Sequence, residues 1–151
     1  MRTYLVIADD TPEAGVALRF AARRAAKTGG AVKILALAAP AEFLAFGGVQ
    51  ATIEDEARRH AEALVRSAAG AIVEESGVRP SIEIRSGDPV AAICAALSDD
   101  PEIDALVLGA AATGAAGPLV AHFAGADAGR MSCPIMIVPG NLDAEALDRL
   151  S

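Results

Sequence analysis

The chain has 151 residues, a formal net charge of −7, and a composition that is 53% hydrophobic but only 3% aromatic. That length supports one ordinary domain, and the scarcity of rings means that its core is assembled from Ala, Val, Ile and Leu. Acidic residues are spread along the chain, leaving no basic face for nucleic acid or an anionic membrane, and no apolar run, Ala105 to Ala112 included, approaches a bilayer-spanning length.

Met1-Arg2-Thr3-Tyr4 leads straight into a strand pattern without a signal peptide, so a cytoplasmic protein is expected. Tyr4 to Ala8 is a short apolar run ending in Asp9-Asp10-Thr11-Pro12, the pattern of a buried strand opening into a helix with Pro in its first turn. From Glu13 to Lys27, Val16, Leu18, Phe20, Ala21 and Ala25 fall largely on one helical face, and Gly29-Gly30 supplies the stop. Ala31 to Ala38 reads as the second strand, and Pro40 to Gln50, with Phe43, Leu44 and Phe46, reads as a covering loop. A long helical pattern runs from about Thr52 to Glu75, and Gly77 ends it.

Pro80 to Arg85 alternates as a third strand, and a helix through Leu97 follows, with Asp88 as N-cap and Pro89 at its first position. The fourth strand is Asp104 to Leu108, followed by a glycine- and alanine-rich stretch to Gly117 and a helix to about Met131. The fifth is Ile135 to Val138, between Pro134 and Pro139, and Asn141 to Leu150 is expected to form a short helix capped by Asn141. Strict alternation of strands and helices predicts a parallel sheet covered on both faces, with residues 1–140 as one domain and 141–151 as a tail. Cys94 and Cys133 have no partners at metal-ligand spacing and are read as reduced, buried small hydrophobes; no metal site is assigned.

In such a sheet, ligands bind beyond the C-terminal strand ends, where the strand order reverses. The first strand offers Asp9, Asp10 and Thr11 there, and the fourth offers Gly109 through Thr113 and Gly114 to Gly117. The small residues after Gly109 would let backbone N–H groups approach a phosphate. A turn that merely lets the next helix pack closely explains them equally.

Taken in order, Ala8-Asp9-Asp10-Thr11, Ser86-Gly87-Asp88-Pro89, Asp104 to Gly109 and Ser132-Cys133-Pro134 to Val138 resemble the corresponding parts of universal stress proteins. The resemblance implies a three-layer α/β doubly wound sandwich of the adenine-nucleotide α-hydrolase-like type. Its five-stranded parallel sheet would run in the order 3-2-1-4-5, and ATP or AMP would be the cofactor class. It places Asp9 at the ribose or adenine side of such a ligand and the strand end at Leu37 and Ala38 against the base. ATP-binding relatives carry Gly, two residues, Gly, nine residues, then Gly with Ser or Thr. Counted from Gly109, Ala112 stands at the second glycine, and the last pair falls on His122-Phe123, or on Ala121-His122 with one deletion. Counted from Gly114 and Gly117, only seven residues precede Gly125, and Ala126 has no hydroxyl. A missing hydroxyl and an intruding β-carbon each cost on the order of 1 kcal/mol or more, enough to weaken affinity about tenfold apiece.

The acidic pair Asp9-Asp10 also suits a response-regulator receiver domain, but Ser86-Gly87 and Pro139-Gly140 stand where a receiver needs its phosphoacceptor Asp and its Lys. His60, among Arg58, Arg59 and Glu62, reads as part of a solvated face; His122 either reaches a phosphate or is a half-buried helix residue. No nucleophile, base and orienting acid occur together, so no catalytic residue is assigned. The expected protein is a stress-response binding or regulatory protein with weak, altered or absent adenine nucleotide binding, its ligand state felt through the loop from Pro40 to Gln50. The alternative is an ATP-binding switch or slow ATPase. As a short apolar edge, the strand from Pro134 to Pro139 predicts a homodimer, unless Leu142 to Leu150 covers it.

Overall fold

The computed structural model describes residues 2–38, 47–125 and 127–151, with the backbone alone over 47–51. Five strands, β1 (Thr3–Ala8), β2 (Ala31–Ala38), β3 (Ser81–Ser86), β4 (Ile103–Ala110) and β5 (Ile135–Pro139), form one sheet in the order β3-β2-β1-β4-β5. Every neighbouring pair is parallel. The helices between them are α1 (Pro12–Thr28), α2 (Gly47–Ser76), α3 (Pro89–Asp99) and α4 (Pro118–Phe123), and α5 (Ala144–Leu150) ends the chain. The α/β architecture and the 3-2-1-4-5 order are those expected from the resemblance. A receiver would instead place its first strand between the second and third.

The period of two along each strand divides the core. Tyr4, Val6, Val32, Ile34 and Val107 point to the layer of α1 and α2, where Ala61, Val65 and Ile72 form the α2 seam. Leu5, Ile7, Leu35, Leu106 and Leu108 point to the other layer, against Ile93 and Leu97 of α3 and Phe123 of α4. Small residues such as Ala17, Ala21 and Ala25 let α1 lie close on the sheet, as the ring-poor composition requires. Where the sheet widens to β3, charge covers the second face: Lys33 Nζ meets Glu83 at 3.1 Å and Asp100 at 3.5 Å, while Arg85 Nη2 meets Glu83 at 2.7 Å and Asp99 at 2.8 Å.

The ends of the elements follow capping chemistry. Thr11 Oγ1 accepts from the Ala14 N–H at 3.3 Å to open α1, and Gly29, in the left-handed region at φ 69°, closes it. Asp88 opens α3 by accepting from the Ala91 N–H at 2.9 Å, as its place before Pro89 predicts.

Three expectations are corrected. The helix expected to reach Met131 stops at Phe123; the Gly125 N–H bonds back to the His122 carbonyl at 3.2 Å, and among the described residues a single 3-10 turn, Ala128–Arg130, follows. Phe123 is fully buried, so the chain past it has to turn back toward the start of β5, and Gly125 is a poor propagator of a helix. The C-terminal helix is capped by Asp143, which accepts from the Ala146 N–H at 2.8 Å, rather than by Asn141. Cys94 is exposed on α3 and only Cys133 is partly buried, because Ile93, Ala96 and Leu97 already fill the inward stripe.

Candidate functional site

At the C-terminal ends of β1, β2 and β4 a crevice of about 570 Å³ opens between the first turn of α1, the middle of α2, the start of α3 and the loop before α4. Its floor is apolar, built from Ile7, Leu37, Ala38 and Leu108 at the strand ends. Ala57, His60 and Leu64 of α2 line one wall, their spacing placing them on one helical face. Val90 and Leu119 close the opposite side.

The first strand ends in a tight acidic turn. Asp9 Oδ1 accepts from the Thr11 N–H at 2.8 Å and from the Thr11 hydroxyl, while that hydroxyl oxygen caps α1. Asp9 Oδ2 has no hydrogen-bond partner among the described residues, and Asp9 borders the crevice. Asp10 leans the other way: its Oδ2 lies 2.8 Å from His60 Nε2, joining the β1 turn to α2 across the mouth. Both side chains are more than half exposed, so screening holds the worth of this pair to about 1 kcal/mol or less.

The loop after β4 forms the other corner. Gly109 lines the crevice directly beneath the first turn of α1, and Gly117, at φ 124°, opens α4. Between them the Ala111 N–H bonds to the Ala116 carbonyl at 2.9 Å, so the intervening residues form a self-closed turn.

The predicted site residues therefore separate. Asp9, Thr11, Ala38, Gly109 and Gly117 border the one crevice; Thr113 and Gly114 stand exposed on the turn outside its lining. His122 lies outside it as well, with Nε2 2.7 Å from Asp127 Oδ2. The Arg130 guanidinium first, and His122 second, hold the Asp127 carboxyl below its ordinary range. His60, read from the sequence as a solvated residue, is solvated and also faces the crevice; its spacing with Ala57 and Leu64 is the signal that could have found it. Glu13 and Asp88, which also border the crevice, were read only as parts of helix starts.

Ionisable side chains at this site are of one sign apart from His60: Asp9, Asp10, Glu13 and Asp88 border it, and no Lys or Arg does among the described residues. Neither do three His, Cys, Asp or Glu side chains gather as a metal site among those residues. No described helix is long and apolar enough to cross a membrane.

Solved structures with the same architecture include the universal stress protein UspA from Lactobacillus plantarum, with a TM-score of 0.75 and 21% identity over 91% of this chain and 97% of that one. A universal stress protein in complex with cAMP has a TM-score of 0.62 and 20% identity, covering 91% of this chain and 96% of that one. A family member from Arabidopsis thaliana with AMP bound has a TM-score of 0.60 and 19% identity, covering 96% and 94%. No curated protein matches in sequence. The sequence model of the universal stress protein family matches residues 1–139. Together with the sheet order and the crevice at the ends of β1 and β4, that match shows that the chain belongs to the universal stress protein family.

Proposed function

We propose that the chain is a stress-response binding or regulatory protein of the cytoplasm whose crevice takes the adenine and ribose end of a small ligand and holds phosphate weakly. One observation carries the reading: Asp9 and Gly109, from separate strands, border a single crevice with an apolar floor. A planar base suits the surface of Leu37 and Ala38, and the Asp9 carboxylate at the border would accept from a ribose hydroxyl. The AMP- and cAMP-bound relatives support this choice of ligand class. Against strong phosphate binding stand Ala112 at a glycine position and the placement of Thr113 and Gly114 outside the crevice lining.

With no Trp and a single Tyr, the chain absorbs weakly, so a co-purifying nucleotide would dominate its ultraviolet spectrum. The expected spectrum is that of protein alone, and calorimetry is expected to show weak binding of ATP. Tight magnesium-dependent ATP binding with slow phosphate release would instead identify the nucleotide switch or slow ATPase.

We read residues 1–140 as the domain and α5 as its docked extension: Leu147 is fully buried, and Lys27 contacts Asp148. On this reading two chains associate through β5, whose outer edge meets no further strand among the described residues and whose Ile137 is exposed. Light scattering is expected to give a dimer mass; a concentration-independent monomer would remove the dimer. Of the loop assigned to partner contacts, 40–46 lies outside the described residues, and 47–50, expected as loop, are instead the start of α2.

A further inference from the structure

We propose that the crevice selects against phosphate itself, taking an uncharged nucleoside such as adenosine in preference to the corresponding nucleotides. This rests on the adenine reading above and deepens it from weak phosphate binding to discrimination by charge.

Two features that normally recruit phosphate are in part answered from within the chain. The N-termini of the long helices α1 and α3 both reach the crevice, and free N–H groups there would attract an anion. At each, one of these N–H groups is already met by the chain's own side chain, Thr11 Oγ1 on the Ala14 N–H and Asp88 Oδ2 on the Ala91 N–H at 2.9 Å. A phosphate approaching α3 would have to displace a carboxylate of its own sign. In the third donor source, the loop after β4, the Ala111 N–H is taken by the Ala116 carbonyl, while α4 opens at Gly117 without a side-chain cap.

The charge balance points the same way. Asp9, Asp10, Glu13 and Asp88 border the crevice, and His60 is the one lining side chain there, among the described residues, able to carry positive charge. Its Nε2 is engaged by Asp10 at 2.8 Å, so a phosphate gains it only by breaking that pair. The sequence of 39–46 contains one ionisable residue, Glu42, and supplies no cation. An uncharged ring and ribose meet none of these penalties: the floor of Ile7, Leu37 and Leu108 buries the base, and the Asp9 carboxylate accepts a hydrogen bond from a ribose hydroxyl.

Calorimetric titration of the full chain with adenosine, AMP and ATP, at low and at moderate salt, tests the idea. Adenosine is expected to bind most tightly, and each added phosphate to weaken binding about tenfold at low salt, a gap that narrows as salt screens the carboxylates. Asp10→Asn, with folding checked by circular dichroism, is expected to narrow the adenosine-to-AMP gap about threefold or more. Tighter binding of AMP or ATP than of adenosine, with or without magnesium, would overturn the proposal and leave the adenine reading standing. Failure of all three compounds to bind would overturn both.

Discussion

A β-carbon on Gly109 would lie 2.1 Å from the carbonyl oxygen of Glu13 and 2.5 Å from its carbonyl carbon, so the end of β4 and the first turn of α1 touch backbone to backbone. Gly140 repeats the arrangement one strand along, where a β-carbon would meet the Ala110 carbonyl oxygen at 2.7 Å and Glu13 Cβ at 3.0 Å. The first turn of α1 is thus seated on two glycines, beside the crevice that Glu13 and Gly109 both border.

Gly109→Ala is accordingly expected to destabilise the fold by about 1–3 kcal/mol, because the obstructing atoms are backbone and have no rotamer to escape into. For a domain of this size that corresponds to a fall of several degrees in Tm, about 2–4 °C per kcal/mol. Gly15, also in α1, has nothing within 4 Å of a built β-carbon. Gly15→Ala should therefore raise stability by about 0.5–1 kcal/mol through helix propensity alone. Thermal melts of the two variants should move in opposite directions; a neutral Gly109→Ala would show that α1 is not seated there.

The caps give a second test. Asp88→Ala and Asp143→Ala each remove an oxygen bonded to a helix N–H, at 2.9 Å and 2.8 Å respectively, and should cost about 1 kcal/mol each in chemical denaturation. Asn141→Ala should leave stability within about 0.5 kcal/mol, since Asn141 is exposed and does not cap α5. A larger loss for Asn141→Ala than for Asp143→Ala would reverse the assignment of the cap.

Acid should act on Asp127, whose carboxyl is held below its ordinary range by Arg130 first and His122 second. A folded-state value below the unfolded one means that its contribution is complete above the ordinary carboxylate range. That contribution is lost as pH falls through the depressed folded value. A carbon-detected titration should show the low midpoint, and Arg130→Ala should move it upward, with His122 retaining part of the depression. An unmoved midpoint in that variant would exclude Arg130 as the main cause.

The cysteines should separate by reactivity. Burial raises the Cys133 thiol above its ordinary value against a smaller lowering by the Leu106 backbone, whereas Cys94 is exposed on α3. Brief alkylation at pH 8, followed by peptide mass analysis, should find Cys94 modified first. Because the folded value of Cys133 is raised, its contribution to stability is present below the ordinary thiol range and lost as pH rises through the raised value. Equal labelling of the two would contradict the packing around Cys133.

Much of the fold was legible from periodicity and punctuation. The apolar runs at Tyr4 and Ala31, the Thr11-Pro12 and Asp88-Pro89 starts and the stops at Gly29 and Gly77 act through neighbours a few residues away, so a linear reading finds them. Phe123 shows where that reading ended too late: Gly125 is only a weak local stop before Met131, and burying that ring is what forces the chain to turn. The same limit hid the choice between Asn141 and Asp143, because both residue types cap well and only the docking of Leu147 selects the register.

For the site, the sequence by itself determined the small residues after β4, the acidic pair after β1 and the breaks in the glycine motif, since these depend on residue identity and spacing alone. Only the tertiary structure decided which of them share a crevice. It joined His60 to Asp10 across 50 positions, set Gly109 under Glu13, and left Thr113, Gly114 and His122 outside the crevice lining. These are relations between elements brought together by the strand order, and they follow from how α1 and α2 lie on the sheet, which no local pattern of residues encodes.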